Sequence, residues 1–275
     1  MKTIAMPDGR AFPVMGLGTW HFGDDKRTAS NEVRVIQRAL ELGITLIDTA
    51  EIYGQGGSER VVGDAIRDRR DGLFLVSKVA PSHADRDGTR RACEASLKRL
   101  GTDHLDLYLL HWRGGVPLAE TIAAFEQLKA DGKIRAWGVS NFDVEDMEDI
   151  PPGAQCSANQ VLYNPQSRGI EFSLLSYCQS RTIPIMAYTP FGQSGRVLRH
   201  PAIGAVAKRH DATPGQVVLA WGIRHSGVVT IPKTATYERV EENLGALKIA
   251  LTDTDLAEID QAFPPPRRKR ALEML

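Results

Sequence analysis

The 275-residue sequence predicts an α/β fold, a (β/α)8 TIM barrel preceded by an N-terminal β-hairpin. Short apolar runs rich in Val, Ile and Leu are each followed by a helical pattern of about 10 to 15 residues, which is typical of parallel βα units. Eight such units in about 230 residues fit one closed barrel better than a doubly wound sheet, which the pattern alone leaves open. Because no Pro/Ser-rich linker divides the chain, we predict a single domain over residues 1–275.

The hairpin comes first in the chain. Segments 3–6 and 10–14 flank Asp8-Gly9, a dipeptide that favours a tight turn. The eight barrel strands that follow are predicted to end near Gly18, Asp48, Lys78, His111, Ser140, Gln160, Tyr188 and Lys233. Pro184 is compatible with the seventh of these strands only at its first residue, because proline has no N–H to donate within a sheet.

Helical patterns separate the strands. Three of them cover residues 32–42, 90–100 and 118–130. Each is followed by a glycine, Gly43, Gly101 or Gly132, where a left-handed residue ends many helices.

Composition excludes several classes of protein. Lys plus Arg and Asp plus Glu both number 34, so the net charge is zero and neither nucleic acid nor an anionic membrane is indicated as a partner. The basic run 267–270 is interpreted as a solvated tail. Three cysteines without a C-x-x-C pair indicate neither a disulfide framework nor a metal site. With no apolar leader or 18-residue apolar run, we expect a cytoplasmic protein.

Four residues at or after strand ends have chemistry that suits one another. Asp48, Lys78 and His111 end neighbouring strands, about 4.8 Å apart, and Tyr53 follows Asp48 in its loop. An ammonium beside a tyrosine stabilises the phenolate, and a carboxylate holds the ammonium charged. This set suits protonation of an oxygen on which negative charge develops. Each residue taken alone is more often a surface group, a helix cap or a structural histidine.

The chain resembles the aldo-keto reductase family along nearly its whole length. The matching segments are 16–20 (GLGTW), 47–54 (IDTAEIYG), 76–78 (VSK), 109–112 (LLHW), 138–142 (GVSNF), 187–192 (AYTPFG) and 231–234 (IPKT). Together they are far more specific than any single short motif. The pattern most resembles bacterial members that reduce methylglyoxal and small aromatic aldehydes.

The resemblance implies a catalytic tetrad of Asp48, Tyr53, Lys78 and His111. Tyr53 would be the general acid, with its pKa lowered by Lys78, which Asp48 holds in place. His111 would position the carbonyl. The family uses no metal, and the sequence contains no metal-binding motif.

The resemblance also implies NADPH/NADP+ as cofactor, bound without a Rossmann fingerprint. The positions implied to contact it are Thr19, Trp20, Asp48, Ser140, Asn141, Gln160, Tyr188, Thr189, Pro190, Gly192, Ser194, Ile231, Lys233, Thr234, Thr236, Arg239, Glu242 and Asn243. Lys233 and Arg239 would bind the adenosine 2′-phosphate, because a phosphate requires positive charge. The alternative for residues 239–243 is the polar face of a helix.

A small carbonyl compound is the expected substrate, bound by Trp20, Tyr53, His111 and Trp112 with a contribution from Phe191. Trp137 and Trp221 are expected in the core. One hypothesis places Arg113 at the pocket mouth, where it would favour carboxylate-bearing substrates; the alternative is a solvated loop arginine. The segment after Phe263 is short, so we expect an open site, and we expect a monomer.

Two alternative functions remain at this point. Some family relatives are regulatory subunits of potassium channels that bind the cofactor and have little turnover. A barrel isomerase or aldolase would instead use Lys78 to form a Schiff base. That reaction requires a neutral lysine, and the neighbouring Asp48 argues against one.

Overall fold

Eight parallel strands follow one another in chain order around a closed barrel in the computed structural model, which describes residues 1–275. The strands are β3 (Gly16–Gly18), β4 (Leu46–Asp48), β5 (Phe74–Val79), β6 (Leu107–Leu110), β7 (Trp137–Ser140), β8 (Asn159–Leu162), β9 (Ile185–Tyr188) and β10 (Val228–Thr230). Bridges from Met15 to Thr230 and from Gly18 to Lys233 join the last strand to the first. The predicted barrel is confirmed, and the doubly wound alternative is wrong.

The predicted N-terminal hairpin is also confirmed. Its strands, β1 (Thr3–Ala5) and β2 (Ala11–Pro13), are antiparallel and pair Ile4 with Phe12. Phe12 is fully buried, and its ring lies 4.7 Å from that of Phe74 at the start of β5. The hairpin therefore covers the amino-terminal end of the barrel with apolar side chains and leaves the opposite end for a site.

Ten α-helices connect or flank the strands. They are α1 (Ala29–Glu41), α2 (Gly57–Ile66), α3 (Arg86–Leu100), α4 (Leu118–Ala130), α5 (Val144–Glu148), α6 (Leu174–Ser180), α7 (Pro201–Arg209), α8 (Pro214–Gly222), α9 (Tyr237–Leu244) and α10 (Asp253–Ala262). The range predicted for α4 agrees at both ends, whereas α1 and α3 begin three and four residues earlier than predicted. Gly101 ends α3 with a left-handed φ of 65°, as a C-terminal glycine does. None of the ten helices combines the length and the hydropathy of a membrane-spanning segment.

The alternation of side chains along each strand determines which residues reach the barrel interior. In β5, Phe74 and Val76 belong to the inner apolar cluster, whereas Leu75 and Val79 pack outward against the helices. Residues two apart share a face, so Lys78 is the next inward position after Val76. Leu46 precedes Asp48 in the same way in β4. The inner face thus changes from apolar to polar at the carboxyl ends of the strands.

Two strand ends differ from the prediction by more than one residue. β8 continues to Leu162, two residues past Gln160, and β10 ends at Thr230, three residues before Lys233. Lys233 still lies at the barrel, because it bridges to Gly18 of β3. Trp137 and Trp221 are fully buried, which confirms the prediction that both belong to the core.

Candidate active site

A buried ion pair lies at the carboxyl end of the barrel. The Lys78 ammonium donates to Asp48 Oδ2 at 2.8 Å, to the Thr49 carbonyl at 2.8 Å and to Tyr53 Oη at 3.3 Å. The Lys78 side chain has no solvent exposure, so these three contacts account for all three of its N–H donors. Gln160 Nε2 donates to Asp48 Oδ1 at 2.8 Å and satisfies the other carboxylate oxygen.

These contacts keep Lys78 charged. Burial opposes the charge, but the Asp48 carboxylate and the Tyr53 hydroxyl outweigh it, and the pKa of the Lys78 ammonium lies above its ordinary value. For Tyr53, burial raises the pKa, Lys78 lowers it and Asp48 raises it, with a net increase. Lys78 thus lowers the pKa of Tyr53, as the resemblance implies, while burial raises it by more. Tyr53 therefore holds its proton at neutral pH.

His111 is neutral across the physiological range. Burial and the Lys78 charge lower the pKa of its imidazole to about 2. Its ring meets that of Tyr53 edge to face, with the centroids 5.6 Å apart, and its buried Nδ1 has no hydrogen-bond partner. A neutral imidazole has one N–H donor and one acceptor nitrogen, so His111 is able to bind a carbonyl but has no spare proton to transfer.

A row of amides and hydroxyls continues the site across β7, β8 and β9. Ser140 Oγ donates to the Gln160 carbonyl at 2.9 Å, and Asn141 Nδ2 donates to Ser140 Oγ at 3.2 Å. The Tyr188 hydroxyl donates to Asn141 Oδ1 at 2.8 Å, and burial raises its pKa to about 12. The row presents fixed hydrogen-bonding groups and one aromatic ring, a donor set that fits a flat carboxamide-bearing ring.

A cavity of about 580 Å³ opens over these residues. The predicted site residues that line it are Trp20, Asp48, Tyr53, His111, Trp112, Ser140, Asn141, Gln160, Tyr188, Thr189, Pro190, Phe191, Gly192, Ile231 and Lys233. The structure thus brings three of the four tetrad residues to the cavity wall and holds Lys78 directly behind Tyr53. Lys233 lies at the same cavity with its ammonium 5.5 Å from the centre of the Phe22 ring.

Seven predicted cofactor residues lie outside the cavity lining: Thr19, Ser194, Thr234, Thr236, Arg239, Glu242 and Asn243. Thr19 is fully buried and its Oγ1 lies 2.6 Å from Ser58 Oγ, so its side chain supports the β3 loop. Of the other six, Ser194 belongs to the loop after β9, Thr234 and Thr236 precede α9, and Arg239, Glu242 and Asn243 lie within α9. Thr236 is the residue before α9, and Arg239 is exposed in its first turn, beyond Lys233 along the chain.

Backbone strain is concentrated at the cavity. Six residues other than glycine have a left-handed φ, and three of them, His21, Asn141 and Thr189, line it. Residues other than glycine rarely adopt this backbone conformation. Where they do, the surrounding structure holds them in it, often at a functional site. The three lie in the loops after β3, β7 and β9, so the strain accompanies the loops that shape the site.

The structure corrects two expectations about the pocket mouth. Arg113 does not line the cavity; its Nη1 donates to Asp149 Oδ2 at 2.7 Å, beside α5. Leu275 does line it, so the short C-terminal segment, which was expected to leave the site open, reaches the site. Sequence reasoning also missed His21, Ile52 and Gln193 in the lining. The first two are adjacent to Trp20 and Tyr53, the only signal in the sequence that identifies them.

Comparisons with known proteins agree with this geometry. Residues 14–263 match the model of the aldo/keto reductase family. Methylglyoxal reductase YeaE of Escherichia coli is 47% identical over the whole of this chain and 99% of its own length. An aldo/keto reductase of Klebsiella pneumoniae, solved with NADP and acetate, is 49% identical with a TM-score of 0.96, covering 100% of this chain and 99% of that one. A second structure, of an aldo-keto reductase from Klebsiella pneumoniae with NADPH, has the same identity, TM-score and coverage.

The Asp48–Lys78 ion pair predicts that substitutions of the two residues change the free energy of unfolding non-additively. Lys78→Met leaves the buried Asp48 carboxylate without its cation and should lower the free energy of unfolding by about 3–5 kcal/mol. The double variant Asp48→Asn, Lys78→Met removes both charges and should be more stable than Lys78→Met alone. Urea denaturation of the wild type, both single variants and the double variant measures the coupling, expected at about 2 kcal/mol. Strict additivity of the two single losses would contradict a coupled pair.

The lowered pKa of His111 predicts that the free energy of unfolding falls as the pH falls. Between the folded pKa of about 2 and the unfolded value near 6.5, the unfolded chain binds a proton that the folded protein excludes. Stability is therefore lost as the pH falls below about 6.5. From pH 7 to pH 5, the wild type should lose about 2 kcal/mol more than His111→Phe, whose ring never titrates. Denaturation at both pH values gives this difference, and an equal loss in the two proteins would refute the buried neutral imidazole.

Proposed function

The chain belongs to the aldo/keto reductase family, and we propose that it reduces small aldehydes and ketones, methylglyoxal and aromatic aldehydes among them, to alcohols with NADPH. In this reaction NADPH supplies the hydride that is added to the carbonyl carbon. The similarity to a methylglyoxal reductase along the full length of both chains supports the substrate class. The aromatic and apolar wall formed by Trp20, Trp112 and Leu275 suits a small organic carbonyl compound.

The observation that carries the proposal is the Tyr53–Lys78 contact at the cavity. Reduction of a carbonyl places negative charge on its oxygen, which then requires a proton from a nearby acid. The hydroxyl of Tyr53 lies in the cavity lining and within 3.3 Å of the Lys78 ammonium. When Tyr53 gives up its proton, the phenolate remains beside a buried positive charge. Lys78 thus stabilises the form of Tyr53 that exists only after proton transfer.

The protonation states support distinct roles for Tyr53 and His111. Tyr53 is protonated at neutral pH and is the proton donor. The imidazole of His111, with a pKa of about 2, donates a hydrogen bond to the carbonyl oxygen and orients it without transferring a proton. Asp48 accepts from Lys78 and Gln160 with its two oxygens, so it holds the ammonium and takes no part in proton transfer.

The residues that would hold the cofactor fit its parts. Ser140, Asn141 and Gln160 would hydrogen-bond the carboxamide, and the ring of Tyr188 would stack on the nicotinamide. Lys233 and Arg239 would pair with the 2′-phosphate, assisted by the hydroxyls of Thr234 and Thr236. Glu242 and Asn243 would contact the adenine, and Ser194 would contact the cofactor from the loop after β9, whose residues Gly192 and Gln193 line the cavity. These contacts would account for the use of NADP as the cofactor.

The protonation of Lys78 disfavours the Schiff-base alternative. A lysine that attacks a carbonyl must be neutral, and burial alone would favour that form. Asp48 and Tyr53 reverse the effect of burial and raise the pKa of Lys78. All three of its N–H donors are also engaged, so the nitrogen has no free approach to a substrate.

Replacement of the acid tests the reaction. Tyr53→Phe removes the transferable proton and should lower kcat by about 10²- to 10⁴-fold with methylglyoxal and with 4-nitrobenzaldehyde. The measurement is the loss of NADPH absorbance, accompanied by a fluorescence titration of NADPH. The cofactor should still bind, because Tyr53 supplies none of its proposed contacts.

Tyr177→Phe, on the outer helix α6, is the matched control and should keep full activity. If Tyr53→Phe keeps the kcat of the wild type, Tyr53 is not the acid. Tight NADPH binding by a wild type with no turnover on any aldehyde would favour the regulatory-subunit alternative.

The proposed 2′-phosphate site predicts a cofactor preference. Arg239→Ala should weaken NADPH binding by at least about tenfold and leave NADH binding nearly unchanged, since a charged hydrogen bond to phosphate is among the strong ones. Fluorescence titration of both cofactors gives the two dissociation constants. Arg181→Ala, at the end of α6, is the control. Equal losses for NADPH and NADH would show that Arg239 does not contact the 2′-phosphate.

A further inference from the structure

The turn that carries Tyr53 has an unusual backbone. Tyr53 is the first residue of a tight turn, Tyr53–Gly56, that leads directly into α2. The next residues, Gly54, Gln55 and Gly56, have left-handed φ values of 55°, 52° and 79°. A left-handed glutamine is strained, and such a conformation persists only where the neighbouring structure holds it. The contacts made by this turn and by the start of α2 therefore determine where the Tyr53 hydroxyl lies.

A buried carboxylate lies directly behind the turn. Glu59, in the first turn of α2, has no solvent exposure. Ser77 Oγ donates to Glu59 Oε1 at 2.6 Å, and Arg99 Nε donates to Glu59 Oε2. Both carboxylate oxygens thus have a partner, as a buried charge requires. Glu59 joins the start of α2 to β5, which carries Ser77, and to the last turn of α3, which carries Arg99.

The side chain of Arg99 also supports the turn itself. A Cβ added to Gly56 would lie 2.6 Å from Arg99 Cδ and 2.8 Å from its Nε, so the arginine is in direct contact with the backbone of the turn. Arg99 Nη2 donates to Ser96 Oγ at 3.1 Å within α3. The end of the Tyr53 turn therefore packs on a side chain that Glu59 and Ser96 hold in place.

Neighbouring residues of β5 connect this network to the proposed acid. Side chains alternate along a strand, so Ser77 faces the helices while Lys78 faces the barrel interior. Ser77 donates to Glu59, and Lys78 donates to Tyr53. The turn and the helix that follows it are thus attached to adjacent residues of one strand. The distance of 3.3 Å between Lys78 Nζ and Tyr53 Oη is long for a hydrogen bond, so a small shift of the turn would break this contact.

We propose that Glu59 and Arg99 are positioning residues that hold the Tyr53 hydroxyl against the Lys78 ammonium for proton transfer. The proposal rests on the proposed reductase function, in which Tyr53 is the acid. Neither Glu59 nor Arg99 lines the cavity, so both act through Tyr53 and not on the substrate or the cofactor. Misplacing a reacting group by about 1 Å lowers a rate by about 100-fold, even when the substituted residue lies away from the reacting atoms.

Substitution of Arg99 tests the proposal in a single turnover. Arg99→Met removes the guanidinium and keeps an unbranched side chain, and it should lower the rate constant of NADPH oxidation by methylglyoxal about 10- to 100-fold. Stopped-flow measurement of a single turnover records the chemical step and not the release of NADP+. The dissociation constant of NADPH, obtained by fluorescence titration, should change less than about twofold, because Arg99 lies outside the cavity.

Three further variants complete the comparison. Glu59→Gln removes the negative charge that pairs with Arg99 and should lower the same rate constant. It nearly preserves the side-chain volume, so it tests the proposal even if Arg99→Met does not fold. Arg99→Lys keeps a cation and a long stem beside Gly56 and should recover part of the loss. Arg90→Met is the matched control on the same helix, because the pair of Arg90 with Asp87 is exposed, and it should behave as the wild type.

The Tyr53→Phe background separates the positioning of Tyr53 from a general loss of structure. If Arg99 acts through the Tyr53 hydroxyl, Arg99→Met should lower the rate constant of Tyr53→Phe by less than about twofold. Equal losses in the two backgrounds, or wild-type rate constants in both Arg99→Met and Glu59→Gln, overturn the positioning role.

A measurement without turnover distinguishes this proposal from the reductase function. In protein labelled with fluorotyrosine, the fluorine NMR signal of Tyr53 is the one that is missing from Tyr53→Phe. Arg99→Met should shift that signal, whereas Arg90→Met should leave it unchanged. If the wild type reduces no aldehyde, the reductase function fails, while a shift specific to Arg99→Met would still support the positioning of Tyr53. A signal that stays in place in Arg99→Met and Glu59→Gln would refute it.

Discussion

The contact between the Lys78 ammonium and the Asp48 carboxylate is the constraint on which the site depends. A charge with no solvent exposure is stable in a protein only when each of its donors has a partner and the charge is balanced. Asp48, Thr49 and Tyr53 supply those partners for Lys78, and Gln160 completes the carboxylate. The carboxyl ends of three strands must therefore converge, since β4 carries Asp48, β5 carries Lys78 and β8 carries Gln160. The closed barrel brings these ends together and excludes water from the pair.

The Lys78 ammonium of this ion pair acts on two neighbouring rings, Tyr53 and His111, and lowers the pKa of each. Burial raises the pKa of the Tyr53 phenol and lowers that of the His111 imidazole, because in each case it disfavours the charged form. The Lys78 charge acts on the two rings in opposite senses: it stabilises a phenolate and destabilises an imidazolium. The phenolate that Tyr53 would leave after losing a proton is therefore stabilised, whereas His111 cannot gain a proton near neutral pH. In the proposed reaction, the Lys78 cation would thus support Tyr53 as the acid and keep His111 a neutral hydrogen-bond donor.

The sequence predicted the barrel and the residues at strand ends because both follow from short-range rules. Apolar alternation identifies the strands, and the period of two carries the inward face of β5 from Val76 to Lys78. No short-range rule predicts which distant segments of the chain come into contact. Nothing near Leu275 indicates that it reaches a cavity lined by Tyr188, and nothing near Arg113 indicates that Asp149 lies within 2.7 Å. The effect of Lys78 on the pKa of Tyr53 could be predicted from the motif, whereas the burial that raises this pKa depends on the whole fold.

The loop after β3 is held against the loop that carries Tyr53 by a direct backbone contact. A Cβ added to Gly23 would lie 2.3 Å from the backbone of Gly57, the first residue of α2, so a side chain at Gly23 would force the two loops apart. The backbone N–H of Gly23 also donates to the buried Glu32 carboxylate at 2.8 Å. The distance across the cavity from Trp20 to Tyr53 is therefore set by packed backbone, independently of the ion pair behind Tyr53. The protonation states of Tyr53 and His111, whose pKa values lie far from neutral, are in turn insensitive to small changes of pH.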